Sequence, residues 1–419
     1  MSDPIAIGVP IAAPPIMADA APTPDPTTPP SGVDETPTAP ERAPETIETL
    51  NMDGISGIVE VVYLLDATGS MDSQLNAAKA LASTMSEKVL SDPNVSGVRS
   101  AVIVYRDHGK GDGFVTKERD FSNNPADVSI FLAPIRAYGG GDGPEAVAPA
   151  FDRVLKLSWT TWDGEGTRPT RLVIHCSDAP PHGVVGKNGS DHYVDGDPSG
   201  IDPLAVVNEW SNFGITYYFV GASGIENYSK GLDFYKGITD RLGGKLVMLR
   251  DATSMENVVV GGALQSVHRE VTTRAVRRTL TAAVDNGTPV AEAEEAIYRS
   301  LAAENRSMPA LSGIAEVYAP SSTSFMGNSL REARIAADAI ELSVASSKRV
   351  KADSAPSYRS MGGDSAPSYR SMGGDSPPSY RSVGASLSFT SHADEDMYSQ
   401  PEIVETPIDR ALFNEMLKR

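Results

Sequence analysis

Strands alternating with helices between residues 57 and 278 predict an α/β fold, a doubly wound and mostly parallel sheet covered on both faces. Two observations carry this. Residues 58–65 are apolar apart from Glu60, the pattern of a strand buried on both faces rather than a half-exposed one. Each such run is also followed by a polar, glycine-bearing turn and then by a stretch of helical periodicity.

The elements follow in order. After the strand at 58–65, a helix is expected from Met71 to about Leu90. A second strand, 98–105, is closed by Arg106-Asp107-His108-Gly109, and 110–120 reads as a polar loop. Residues 125–133 fit a short helix stopped by Pro134. Tyr138-Gly139-Gly140-Gly141-Asp142-Gly143-Pro144-Glu145 must be a loop. Pro144 suits a helix start with Glu145 in the first turn, and Val147, Ala150, Phe151 and Val154 form one apolar stripe. A strand at 171–176 ends in Ser177-Asp178-Ala179-Pro180, and a Gly-, Asp- and His-rich excursion covers 182–200. A helix from Asp202-Pro203 to Trp210, a strand at 214–220, a helix at 233–242, a strand at 245–249 and a helix from Met255 to about Arg278 complete the alternation. Further helical character lies at 290–303, 328–347 and 408–419.

Ligands in such folds bind beyond the carboxyl ends of the strands. Asp66-Ala67-Thr68-Gly69-Ser70 lies there, and its carboxylate and two hydroxyls at alternate positions can converge on one small volume. Hard oxygens of this kind suit Mg²⁺, Mn²⁺ or Ca²⁺ rather than zinc or copper. The alternative is an ordinary helix cap, with Thr68 or Ser70 accepting the free N–H groups. Asp142 and Asp178 lie in the other acidic turns, so one crevice can gather all three.

Composition narrows the function. The 419 residues carry 55 acidic against 36 basic side chains, a net charge of −19 that repels nucleic-acid phosphates and anionic membranes. The single cysteine, Cys176, excludes an intrachain disulfide or a cysteine-based zinc cluster. Pro10, Pro14 and Pro15 interrupt the early apolar stretch, and no basic leader precedes it, so neither a signal peptide nor a membrane span is expected and a cytoplasmic setting follows.

The first 50 residues hold 12 of the 31 prolines, which marks 1–52 as a disordered acidic tail. The folded domain is expected over 53–283, with a partly ordered helical extension over 284–348 and a disordered region over 349–395. Within 353–384 an 11-residue Ser/Tyr/Arg/Gly unit occurs three times, bearing Arg359, Arg370 and Arg381. Proline and glycine in every copy forbid a helix there. The last stretch, 396–419, ends in a short helix.

Four blocks carry a resemblance: Leu65-Asp66-Ala67-Thr68-Gly69-Ser70-Met71, Tyr105-Arg106-Asp107-His108, Gly139-Gly140-Gly141-Asp142-Gly143-Pro144-Glu145 and His175-Cys176-Ser177-Asp178-Ala179-Pro180-Pro181-His182-Gly183. Over about residues 55–275 they resemble von Willebrand factor A-type domains, and most of all those of intracellular alpha-kinases. The resemblance implies a metal-ion-dependent adhesion site of Asp66, Thr68, Ser70, Asp142 and Asp178, with Mg²⁺ the default and Mn²⁺ or Ca²⁺ the alternatives. Asp142 stands where a typical member has threonine, so an extra carboxylate strengthens cation retention and weakens capture of an acidic partner. No alpha-kinase catalytic signature follows residue 285.

The function expected is therefore a non-catalytic, metal-dependent module that binds a protein or peptide, with a basic peptide the natural match to an acidic rim of Asp142, Glu145, Asp178, Asp191, Asp195 and Asp197. The rival readings are a metal-assisted hydrolase with His182 or Glu145 as base, and a regulatory relative of an alpha-kinase without its catalytic domain. Arg106 is expected to pair with an internal carboxylate. His175 is expected to satisfy a hydrogen bond behind Asp178. His182 and His192, with Asp191 and Asp195, read as a solvated loop or an accessory metal site.

Overall fold

The computed structural model describes residues 50–164, 166–185, 189–249, 254–313 and 400–418. The proline-rich residues 1–49, the helix expected at 328–347 and the repeat at 353–384 lie outside the described residues.

The first strand, β1 (Gly57–Asp66), is the centre of a six-stranded sheet. It pairs in parallel with β2 (Val95–Tyr105) on one side and with β4 (Thr170–Ser177) on the other. Beyond β4 lie β5 (Ile215–Gly221) and β6 (Leu246–Met248), both parallel. Beyond β2 lies β3 (Thr116–Ser122), antiparallel, so the order is β3-β2-β1-β4-β5-β6. The chain builds outward from β1 in one direction, then returns and builds in the other. The reversal falls between β1 and β4, and their carboxyl ends form the crevice where ligands of such sheets bind.

Both faces of the sheet are covered, which is why β1 is apolar almost throughout. Val59, Val61, Tyr63 and Leu65 point into one core, against α1 (Asp72–Leu90) and α6 (Met255–Asp285). Val62 and Leu64 point into the other, with residues of α3 (Val147–Leu155), α4 (Pro203–Phe213) and α5 (Ser229–Leu242). The short α2 (Ala126–Leu132) follows β3 and packs on α1. Glu60, the one charge in β1, is fully buried but satisfied: it pairs with Arg99 and accepts from Thr160 N at 2.9 Å and Thr160 Oγ1 at 2.7 Å. A buried carboxylate without such partners would be strongly destabilising.

Four local expectations need correction. The loop at 110–120 ends in β3, whose residues are all partly buried or exposed, as on an edge strand. The helix expected from Pro144 begins at Val147 instead. Glu145 is not in its first turn: its N–H donates to the Pro180 carbonyl at 3.0 Å, tying the loop to the end of β4. The helix expected from Asp233 begins a turn earlier, at Ser229.

Fourth, a second small sheet joins β7 (Ser307–Ser312) to β8 (Glu402–Pro407) antiparallel. It follows α7 (Val290–Ala303), and α8 (Arg410–Lys418) closes the described chain. Gly261 and Gly262 of α6 explain the packing here. A Cβ on Gly261 would lie 2.9 Å from Leu311 Cδ1, and one on Gly262 3.1 Å from the Tyr218 ring. Their small size lets one helix close on both sheets.

Candidate metal centre

Strand register sets the height of each group. Asp66, the last residue of β1, is paired with Tyr105 of β2, while Leu65 pairs with Cys176 of β4. Asp66 is therefore level with Ser177, and Arg106, Asp107 and Asp178 stand just above it. Asp66 is 1% exposed. Its Oδ1 accepts from Thr68 N at 2.9 Å and Thr68 Oγ1 at 2.6 Å, and its Oδ2 from Ser177 Oγ at 2.8 Å. Thr68 Oγ1 and Ser70 Oγ are 3.4 Å apart. Ser70 lowers the Asp178 pKa against the effect of burial, so three side chains of the first turn and Asp178 of the fourth strand's turn lie together. Neither Thr68 nor Ser70 caps the helix with its side chain, so the capping alternative does not hold.

Burial, reinforced by the charge on Asp178, pushes the Asp66 carboxyl up to about 7, against the pull of Thr68 and Ser177. Burial raises Asp178 as well. The middle loop is laced to the first: Gly69 N donates to the Gly139 carbonyl at 3.1 Å, and Tyr138 N to the Ala67 carbonyl at 3.0 Å.

Arg106 does not pair with a carboxylate side chain. Its guanidinium donates to the carbonyls of Ala67, Asp112 and Arg136 and lies over the Phe114 ring. It braces three loops.

Asp142 gathers with a different set. Asp107, Asp142 and His182 each offer an atom within 4.8 Å of the other two, and the three could hold a metal ion. His182 Nε2 faces Asp107 Oδ1 at 2.8 Å and its Nδ1 faces Asp191 Oδ1 at 3.0 Å. Burial disfavours the imidazolium, but the two carboxylates outweigh it and raise the His182 pKa. Asp142 Oδ2 accepts from His192 N at 2.6 Å, whereas its Oδ1 is buried with no partner among the described residues.

Glu145 links the two sets. It is 4% exposed and its Oε2 is buried with no partner among the described residues. A Cβ on Gly140 would lie 2.7 Å from Glu145 Oε1 and 3.3 Å from Thr68 Cβ, so the middle-loop glycine makes room for this carboxylate beside the first turn. Burial, then the charges of Asp66, Asp107 and Asp142, push its carboxyl up to about 11. The sequence pointed to Asp142 as the middle-loop donor; the structure adds Glu145, which the room at Gly140 seats beside the first turn.

The remaining groups are spoken for. His175 is fully buried between the Tyr105 hydroxyl at 2.6 Å and the Tyr217 hydroxyl at 2.7 Å, and not against Asp178. The excursion at 182–200 is no solvated loop at His182, which is 3% exposed. Asp191 accepts from Gly183 N at 2.7 Å, and Asp197 pairs with His108 at 2.9 Å, so both acids turn inward and leave the rim less acidic than expected.

No family model matches the chain. It is 30% identical over 182 residues to an alpha-protein kinase, vwkA, of Dictyostelium discoideum, covering 43% of this chain and 28% of that one. It is 28% identical over 130 residues to a putative ariadne-like RING finger protein of Acanthamoeba polyphaga mimivirus, covering 30% of this chain and 11% of that one. The chain thus spans less than a third of the length of either relative. Among solved structures, the pilus adhesin SpaC of Lactobacillus rhamnosus GG in its open conformation aligns with a TM-score of 0.38 at 11% identity, over 53% of this chain and 30% of that one. Proximal thread matrix protein 1 of the mussel byssus aligns with a TM-score of 0.34 at 11% identity, over 50% of this chain and 49% of that one.

Proposed function

We propose that the protein is a cation-dependent protein-binding module of von Willebrand factor A type. Its metal site lies in the crevice at the carboxyl ends of β1 and β4 and is formed by Asp66, Thr68, Ser70 and Asp178, with Asp142, which also faces Asp107 and His182, and Glu145 as the carboxylates of the middle loop. The observation that carries the reading is the set of carboxylate oxygens left without partners: Glu145 Oε2 and Asp142 Oδ1 are buried beside other acids. Buried acceptors of this kind call for a counter-charge. All donors around Asp66 are oxygens, which favours Mg²⁺ in a cytosol, with Mn²⁺ and Ca²⁺ as alternatives.

A bound divalent cation supplies an open coordination position to an oxygen of the partner. The chain's own residues do the rest. Thr68 and Ser177 orient the Asp66 carboxylate, Ser70 steadies Asp178, and Arg106 holds the loops at a fixed separation. The remaining acidity of the rim disfavours an acidic partner and suits a basic or polar peptide. Partial similarity to an alpha-kinase agrees with an intracellular setting. In this reading 53–283 is the binding domain, 284–348 an extension that includes α7 and β7, and 1–52 and 349–395 are tethers.

The hydrolase alternative is weaker. Both His182 nitrogens face carboxylates, and Glu145 is taken up as a donor to the cation, so neither is placed to accept a proton from water.

Titration of the full chain with Mn²⁺, by calorimetry and by thermal unfolding, tests the site. Wild type is expected to bind one ion at the Asp66 centre and to rise in Tm, and Asp66→Ala to lose both effects. Equal binding and equal stabilisation in the two proteins would end the proposal.

A further inference from the structure

The unpartnered buried atoms at the metal crevice are acceptors. At the opposite end of the sheet they are donors. Thr170 Oγ1, Thr273 Oγ1 and Arg269 Nε are all buried without a partner among the described residues, and the three residues line one cavity of about 550 Å³. The two threonines are 7% and 4% exposed. The cavity lies at the amino ends of β4 and β5, walled by α6 and the end of α5. Its size falls within the range of small-molecule sites.

The α6 wall is built by helical periodicity. Gln265, Arg269, Thr273 and Arg277 follow one another at intervals of four and all face the cavity. Arg168 and Arg171 enter from the start of β4, and Arg241 from the last turn of α5. Five arginines line the cavity with three acids, Asp240, Glu270 and Glu415, in a chain whose net charge is −19. Arg168 and Arg171 donate to the Phe213 carbonyl, Arg171 also meets the buried Glu60 at 3.6 Å, and Arg241 is bonded to Asn208, so the anion position falls at Arg269. Of the acids, Asp240 is tied to Lys236, and Glu415 of α8 reaches Arg269 at only 3.4 Å. Arginine clusters of this kind suit the planar, multidentate recognition of phosphate oxygens.

An adjoining cavity of about 460 Å³ shares Arg168, Arg171 and Trp162 with the first and adds Trp159 and Phe213. Trp162 is 42% exposed, and the Arg168 guanidinium lies 5.9 Å from its ring centroid. A ligand with phosphates and a planar ring would match both compartments.

We propose that this crevice binds a nucleoside phosphate, with the phosphates at Arg269, Thr170 and Thr273 and the ring toward Trp162. The site is independent of the cation centre. Glu415 occupies part of the anion position through its contact with Arg269, so it acts as an internal competitor.

Calorimetric titration of the full chain with ATP and with inorganic phosphate, both in excess EDTA, tests this. EDTA silences the cation centre, so failure of one site is distinguishable from failure of the other. ATP is expected to bind with a micromolar Kd and inorganic phosphate at least tenfold more weakly. Thr273→Val and Arg269→Gln should each weaken ATP binding by about tenfold or more, because each removes a donor to an anion. Glu415→Gln should tighten it several-fold. Thr273→Val keeps the side-chain volume, so the test survives if Arg269→Gln fails to fold. The proposal is overturned if ATP does not bind, if phosphate binds as well as ATP (a general anion patch), or if affinity is unmoved by Thr273→Val. An unchanged affinity in Glu415→Gln would remove the anion from Arg269.

Discussion

Replacing Glu145 by glutamine probes the acidic centre most directly. The carboxyl is 4% exposed, one of its oxygens has no partner, and its pKa is pushed up to about 11 from an ordinary 4.5. Because the folded-state value lies above the unfolded one, the folded state binds more protons between them. Stability is then greatest below pH 4.5 and falls as pH rises toward 11. The slope is about 1.4 kcal/mol per pH unit, which accumulates to about 3 kcal/mol by pH 7. Glutamine carries no such linkage, but its amide must also be desolvated, at about 1–3 kcal/mol. The difference at any single pH is therefore ambiguous, and the difference in slope is not. Urea unfolding of both proteins in EDTA, across pH 5 to 9, measures it. The variant should gain on wild type by about 1.4 kcal/mol for each unit of rising pH. Added Mg²⁺ should flatten the wild-type profile, since the cation supplies the missing counter-charge. Parallel profiles in EDTA would refute the reasoning.

Two further outcomes concern the buried floor of the site. Burial pushes the His175 pKa down to about 3, so its ring should stay neutral in the folded protein; the Cε1–H resonance should show no titration from pH 8 to 4, and an inflection near 6.5 would contradict the packing. Because that folded value lies below the unfolded one, this group contributes a loss of stability as pH falls below 6.5. Cys176 is 1% exposed, and burial, then the charges of Asp66 and Asp178, push its thiol up. Iodoacetamide should label it at least a hundredfold more slowly in the native protein than in urea, and rapid native labelling would show that the crevice opens.

Much of the fold was legible in the residues themselves. The continuous apolar run of β1, and the turn-then-helix sequence after each such strand, reflect local chemistry, because a strand covered on both faces has no polar face to display. Asp66, Thr68, Ser70 and Asp178 could be named for the same reason: they stand directly at strand ends, where a sheet of this class exposes its crevice. Other features depend on contacts that local pattern does not encode. β8 pairs with β7 across some 90 intervening residues, and no turn signature marks such a partner. β3 carries the charges of an edge strand and so resembles a loop. Arg106 looked like a partner for a carboxylate, but three carbonyls surround it once the loops are stacked. That Glu145 stands beside the first turn is decided by the Glu145–Pro180 bond and the room left at Gly140. The stripe from Gln265 to Arg277 is readable as one helix face, yet only the approach of β4 and the end of α5 turns that face into a cavity. Local sequence specifies which backbone each segment prefers and which side chains stand at its ends. Which charges remain unpaired is set by how separate segments pack, because pairing depends on distances between residues far apart in the chain.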